Sequence, residues 1–452
     1  MEFYGYGGDF NDNPNDGHFI MDGLCFSDHT PTPGLTEYKK AIEPVQVLEG
    51  STHEKILIIN RYDFATLDHL KCEWSIVGDQ FTVAKKEISI PKGVKPGTTA
   101  ALFIPGVKLD DLPSESYLDV SFTLRYATTW AKAGHEVAFG QVPIKMGVPL
   151  ANLKLTGSQY CPKVTRIDPN ILEVAGTSKK WQFDIAHGFL SSWQIGSRTP
   201  TFQKRLSMDF YRAVTDNERL NDGGDWRGQF MQMAVPHLQS FETSVDTDTN
   251  VVTITALHRI APPVLEWSVD TVTTYIISDF GIKIHVKGNP RGLRLPRTFA
   301  RIGLTLTLNE AYTKCEWFGR GPGECYIDSK FSQRFGNWSM PVSDLFTKYE
   351  YVQEAGNRTD VRWVSFSDED GKGAIKMSFG DQKGCSFMAS HYTTDEIDAT
   401  EHPYDLARWN RKEAIVRLDW AHQGLGTGSC GPKVLPKYEL PVKPFEYELF
   451  ME

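Results

Sequence analysis

Short runs of apolar residues alternating with polar ones recur along nearly the whole chain. The clearest are Lys55–Asn60, 118–124, 136–142, 251–257, 281–286, 374–379 and 415–420. Alternation at period two turns one face of a strand to a core and the other to water. Clusters of Gly, Asn, Asp and Pro separate the runs, and a helical period is almost absent. The 38 Gly, 25 Pro and 12% aromatic residues suit many short strands joined by turns. A sheet buries an apolar face only against a second layer, so a mostly β, sandwich-type architecture follows.

The 452 residues allow two or three domains. Residues 48–147 read as an immunoglobulin-like β-sandwich, with turns at Pro91, Gly93, Pro96 and Gly97. Residues 153–452 continue as strands with no break, repeat or low-complexity run, and read as one large double-sheet sandwich. Residues 1–47 are different. A polar, glycine-rich stretch (5–17) and a short apolar one (19–26) lead into a short helix, with Thr36 as its N-cap. This segment has no core of its own and must lie on something else.

Composition excludes several classes. The net charge is −9 with no basic stripe, so nucleic acid is not an expected partner. No apolar run approaches the ~18 residues of a membrane-spanning helix. Met1 to Asp9 lacks a basic stretch followed by an apolar one, so no signal peptide is read there and a cytoplasmic location is expected. Seven cysteines, widely spaced and without Cys-x-x-Cys, argue against disulfides and structural zinc. His135 and Glu136 are adjacent on a strand and point to opposite faces, so no metal is expected. No cofactor is expected either. Residues 424–431 read as a turn, not a phosphate loop, and no Gly-x-Ser-x-Gly occurs.

Chemistry concentrates between residues 315 and 363. This stretch opens Glu316-Trp317-Phe318-Gly319-Arg320-Gly321-Pro322-Gly323-Glu324 and closes Gly356-Asn357-Arg358-Thr359-Asp360-Val361-Arg362-Trp363. Its paired donors and acceptors suit a sugar or another polyhydroxylated ligand. They suit equally a salt-bridge network tying two sheets together. Residues 209–218, the pairs His391-Tyr392 and Glu401-His402, and 424–432 add polar groups. A histidine and a carboxylate across a bound ring can run acid/base chemistry. The catalytic candidates are His391, His402, Glu324 and Glu354. The substrate-binding candidates are Arg212, Asp216, Asn217, Arg320, Asn357, Arg358, Asp360 and Arg362. For each, the competing reading is a satisfied buried side chain.

These segments resemble the small chain of family 2 β-galactosidases, whose signatures run roughly Trp-Tyr-Gly-Arg-Gly-Pro-x-Glu-x-Tyr and Gly-Asn-Arg-x-Asp-x-Arg. Tyr6-Gly7-Gly8-Asp9-Phe10 and Met21-Asp22-Gly23-Leu24 look like the end of that family's catalytic (β/α)₈ barrel. Asn60-Arg61-Tyr62-Asp63-Phe64 and Trp130 to Glu136 are similar to its linking sandwich. The resemblance implies that residues 153–452 form a galactose-mutarotase-like supersandwich. It also implies that both catalytic glutamates belong to earlier barrel strands, with no counterpart here. The family's cation ligands would fall on Asn15, the Phe19 carbonyl and Asp22, where many members carry Asn. The remaining ligands lie on those earlier strands, so no magnesium or sodium site is expected. Val214, Glu218 and Ala355 depart from the family pattern, as do His187 and His422.

Three functional expectations follow. The first is a repurposed isomerase, cyclase or lyase acting on a small oxygenated molecule or carbohydrate through acid/base residues in the supersandwich cleft. The second is an accessory small subunit completing a separate large β-galactosidase chain. The third is a non-catalytic carbohydrate-binding module. A homo-oligomer or a large β-galactosidase chain is the expected macromolecular partner.

Overall fold

In Lys55–Asn60 the side chains of Ile56, Ile58 and Asn60 point inward while their neighbours face out. This strand pairs with Val45–Val47 on one edge and Thr99–Phe103 on the other. A second sheet, in the order Phe81–Ile88, Leu70–Gly78, Ser116–Leu124 and Glu136–Lys145, packs across it. Ile56, Ile58, Trp74, Val120 and Phe122 fill the space between them. The result is a seven-stranded immunoglobulin-like sandwich. It takes in Val45–Val47 from the preceding segment. The computed structural model describes residues 3–147, 155, 158–196, 198, 201–380, 383–409 and 411–452. The expected start of the last domain, residue 153, lies outside the described residues.

Ser116–Leu124 departs from simple alternation, because nearly all of it is buried on both faces. Its second face meets the following domain. Tyr117 packs with Phe318, Phe335 and Trp363, and Asp119 stands 3.2 Å from the Arg334 guanidinium.

The larger domain is a supersandwich. Nine antiparallel strands run in the order Val235–Asp246, Val251–Ala261, Trp267–Ser278, Gly281–Gly292, Phe445–Met451, Ile375–Phe379, Trp363–Ser367, Lys314–Gly321 and Arg334–Pro341. Five more run Phe202–Asp209, Arg301–Leu308, Ala414–His422, Cys385–Ser390 and Arg358–Val361. One apolar core, including Ile254, Ile284, Leu304, Val416 and Trp317, lies between these sheets. A smaller four-stranded sheet spans residues 163–195. The 315–363 stretch passes from the nine-stranded sheet to the five-stranded one and returns at Trp363. A Cβ on Gly319 would stand 2.6 Å from Val361 Cα, so glycine permits the close crossing.

Residues 3–42 do lie on something else. The helix Pro33–Ala41 is capped by Thr32, whose Oγ1 accepts from Leu35 N at 3.1 Å. Thr36 is not the cap; its hydroxyl donates to Pro33 O at 2.7 Å. Proline at the first helical position favours a cap immediately before it. No helix among the described residues is long and apolar enough to cross a membrane.

Candidate functional site

The five-stranded sheet turns Leu304, Leu306, Val416 and Leu418 toward the core. The alternate residues of the same strands, Arg301, Arg417 and Asp419, project to the other side. Three loop regions roof that side, and Ala213, Phe346, Val352, Ala355, Ile397 and Leu406 pack there against Met388. The space beneath is polar and buried. Arg212, Arg301 and Arg417 are all fully buried. Arg212 forms a fork to Glu218, at 2.7 and 2.5 Å. Glu218, one of the departures from the family pattern, also accepts from the amide and hydroxyl of Thr215. Arg301 Nε stands 2.7 Å from Asp419, and Arg417 donates to Thr394 Oγ1 at 2.9 Å. Glu354 faces this cluster, with Oε2 lacking a hydrogen-bond partner among the described residues. Burial raises the Glu354 carboxyl, against the pull of Arg417, Arg212 and Arg301. Burial likewise pushes the Asp419 carboxyl up to about 6, with Arg301 opposing.

Beside it lies the network of the 315–363 stretch. Arg358 Nη1 donates to the carbonyls of Leu345 and Gly356, each at 2.6 Å, and Nη2 to Pro322 O at 3.0 Å. Asn357 donates to Cys325 O at 2.7 Å. Glu324 accepts from Tyr349 Oη at 2.8 Å and Gly356 N at 2.5 Å, and burial raises its carboxyl. Asp360 has φ +57°, a left-handed backbone that aspartate tolerates better than most residues. It accepts from Arg320 Nε at 2.6 Å and Lys330 Nζ at 2.9 Å. Burial works to raise Asp360, but Lys330 and Arg320 outweigh it and hold the carboxyl below its usual range. Arg362 reaches the other domain and pairs with Glu115 at 2.8 Å.

The histidines stand elsewhere. His402 Nε2 donates to Asp9 at 3.0 Å, and its ring stacks on Tyr6 at 4.5 Å. His391 Nδ1 donates to Glu413 O at 3.1 Å. Asp216 binds His18 Nε2 at 2.7 and 2.8 Å, and the His18 ring stacks on Tyr351 at 3.9 Å. Asp9 and His18 belong to the first segment. These contacts therefore clamp that segment onto the supersandwich. Ser27 N donates to Glu350 at 2.6 Å, and Phe331 N and Ser332 N donate to Glu37, each at 2.9 Å.

Five of the twelve candidates fall in three separate places, and the other seven lie in the contacts just described. A cleft of about 720 Å³ opens between residues 21–41 and the supersandwich, and Asn217 and Glu324 line it with Asp22, Asp328 and Tyr349. Arg320 lines a second cleft of about 690 Å³, where the first segment and both domains meet. Arg212 and Glu354 belong to the buried arginine cluster. Among the described residues no hydrogen bond or ion pair of His391 or His402 reaches Glu324 or Glu354. Asn15 is turned into its own loop, donating to Asp12 O and accepting from Gly17 N. No group of three His, Cys, Asp or Glu that could hold a metal occurs among the described residues.

Arg301, Arg417, Asp419 and His18 were not singled out from sequence. For Arg417 and Asp419 a signal existed: two charges at alternate positions inside an apolar strand that must be buried.

The pattern for the β-galactosidase small chain matches residues 175–451. The chain belongs to the β-galactosidase small-chain family. Residues 56–145 match domain 4 of β-galactosidase, and residues 1–47 match the TIM barrel domain of family 2 glycosyl hydrolases. The β-galactosidase of Kluyveromyces lactis is 33% identical over 98% of this chain and 40% of its own length. β-Galactosidase 2 of Enterobacter cloacae is 28% identical over 98% of this chain and 42% of its own. The chain therefore spans about two fifths of the length of the curated relatives it matches. Among solved structures, a galactose mutarotase-like protein from Lactobacillus casei covers 62% of the chain at 10% identity, with a TM-score of 0.34.

Proposed function

We propose that this chain is the non-catalytic scaffold of a β-galactosidase. It holds the end of the catalytic barrel in place for the rest of that barrel, which a large β-galactosidase chain supplies. One observation carries the reading. The first segment is clamped on its inner side by Asp9, His18 and Glu37. On its outer side Phe10, Phe19, Ile20, Leu24 and Ile42 are exposed, Ile20 by 74%. A ligated inner face and a bare apolar outer face describe a surface built to be covered. Bond cleavage then belongs to the covering polypeptide, where a retaining glycosidase needs two carboxyl groups about 5 Å apart.

A second reading, acid/base turnover of a small oxygenated molecule or carbohydrate, draws on Glu324, whose raised carboxyl borders the cleft. Its hydrogen-bond partners among the described residues are Tyr349, Gly356 and Thr347, none of them a histidine.

Gel filtration separates the two. The probe is the portion of the K. lactis enzyme that this chain does not match. The scaffold reading expects a 1:1 complex, abolished by Ile20→Asp combined with Phe19→Asp. No complex with the unaltered chain, together with proton-exchange or isomerase turnover by the chain alone that Glu324→Gln removes, would favour the second reading.

A further inference from the structure

We propose that the loop end of the immunoglobulin-like sandwich is a second docking surface for the same barrel-bearing polypeptide, and that it receives an acidic face with an apolar centre. The inference rests on the scaffold reading.

Three loops, 61–69, 91–98 and 125–135, meet at this end. Hydrogen bonds join them: Gly93 N donates to Asp68 at 2.8 Å, Arg125 N to His69 O at 3.0 Å, and Asn60 Nδ2 to Val94 O at 2.9 Å. Tyr62 packs against the sandwich core, but three other rings are bare: Phe64 is 96% exposed, Tyr126 75% and Trp130 65%. Three large aromatics left in water on one tip are out of keeping with a free surface. The Trp130 ring packs edge-on to His135, with centroids 5.3 Å apart. A large exposed aromatic side chain makes a good anchor when a partner covers it.

Charge names the partner's chemistry. These loops hold five Lys or Arg against two Asp, in a chain whose total is −9. Arg125 pairs with Glu87 at 3.4 Å, whereas Arg61, Lys95 and Lys132 make no ion pair among the described residues. Unpaired cations around aromatic anchors match an acidic rim around an apolar centre.

Continuity names the partner. Arg61 N donates to Pro44 O at 2.7 Å, and Lys39 Nζ to Glu136 O at 3.2 Å. The helix Pro33–Ala41 therefore runs directly into this end, and Tyr38 and Ile42, on it and just after it, are exposed. A polypeptide seated on the first segment meets the loop end next.

The test titrates the chain against the unmatched portion of the K. lactis enzyme at low and high salt. Arg61→Glu with Lys132→Glu should raise Kd at least about tenfold at low salt and flatten its salt dependence. Trp130→Ala should raise Kd about tenfold at both salts. All three positions are on the surface, and an unchanged thermal melt confirms that the variants fold. Unchanged Kd in both variants overturns the inference and leaves the scaffold reading standing. No binding by the unaltered chain overturns both. If the chain alone sediments as a dimer that the charge reversal dissociates, the surface is a self-contact and the inference fails.

Discussion

Arg358 is a cation whose counterpart is backbone. Three carbonyls, of Leu345, Gly356 and Pro322, end on its guanidinium in a buried setting. Arg358→Ala strands those carbonyls and should cost about 3–5 kcal/mol in urea unfolding. Arg358→Lys should recover less than half, because an ammonium cannot reproduce the planar fork. A loss under about 1 kcal/mol for the alanine variant would contradict this role. Asp419 gives a pH signature. Its folded carboxyl is raised to about 6, while an unfolded aspartate titrates near about 4. The native state thus holds a proton that the unfolded chain has released. That contribution is complete below about pH 4 and is lost as pH rises through about 6, by no more than about 3 kcal/mol. Unfolding free energy should therefore fall more from pH 4 to 7 in the unaltered protein than in Asp419→Asn; equal slopes would refute it. At this scale the sequence was half legible. Charges spaced by glycines marked residues 315–363, but the same charges read as ligand contacts or as a network. Only the carbonyls around Arg358 show how that guanidinium is satisfied. The buried arginines could not be grouped, because Arg212, Arg301 and Arg417 come from three distant segments.

Among elements, the strands were the most legible. Period-two runs at 251–257, 281–286 and 415–420 became Val251–Ala261, Gly281–Gly292 and Ala414–His422. Ser116–Leu124 hid its second contact, since alternation describes one buried face and says nothing of a neighbouring domain on the other. The helix start was misread because Thr36 and Thr32 are both plausible caps until the proline is given weight. The correction is testable. Thr32→Ala should speed amide exchange across Pro33–Ala41, matching a cap worth about 1 kcal/mol. Thr36→Ala should leave that exchange nearly unchanged. The opposite ranking would restore Thr36 as the cap.

For the whole molecule, the two sandwiches are joined by Arg362 to Glu115, Arg334 to Glu136 and the aromatic cluster around Phe335. Arg362→Ala should split a single calorimetric unfolding peak into two, the smaller belonging to the immunoglobulin-like sandwich. One unbroken peak would show that the apolar contacts suffice. The fold of both sandwiches could be read from strand spacing and family resemblance. The way residues 3–42 lie could not, because its contacts pair Asp9 with His402 and His18 with Asp216 across most of the chain. The central claim is that these residues present a barrel end to a catalytic partner. Hydrolysis of a chromogenic galactoside tests it most directly, measured for this chain, for the unmatched portion of the K. lactis enzyme, and for the two mixed. The scaffold account predicts turnover in the mixture alone, lost on Ile20→Asp with Phe19→Asp. Galactose release by this chain by itself, at the rate of the mixture, would contradict it.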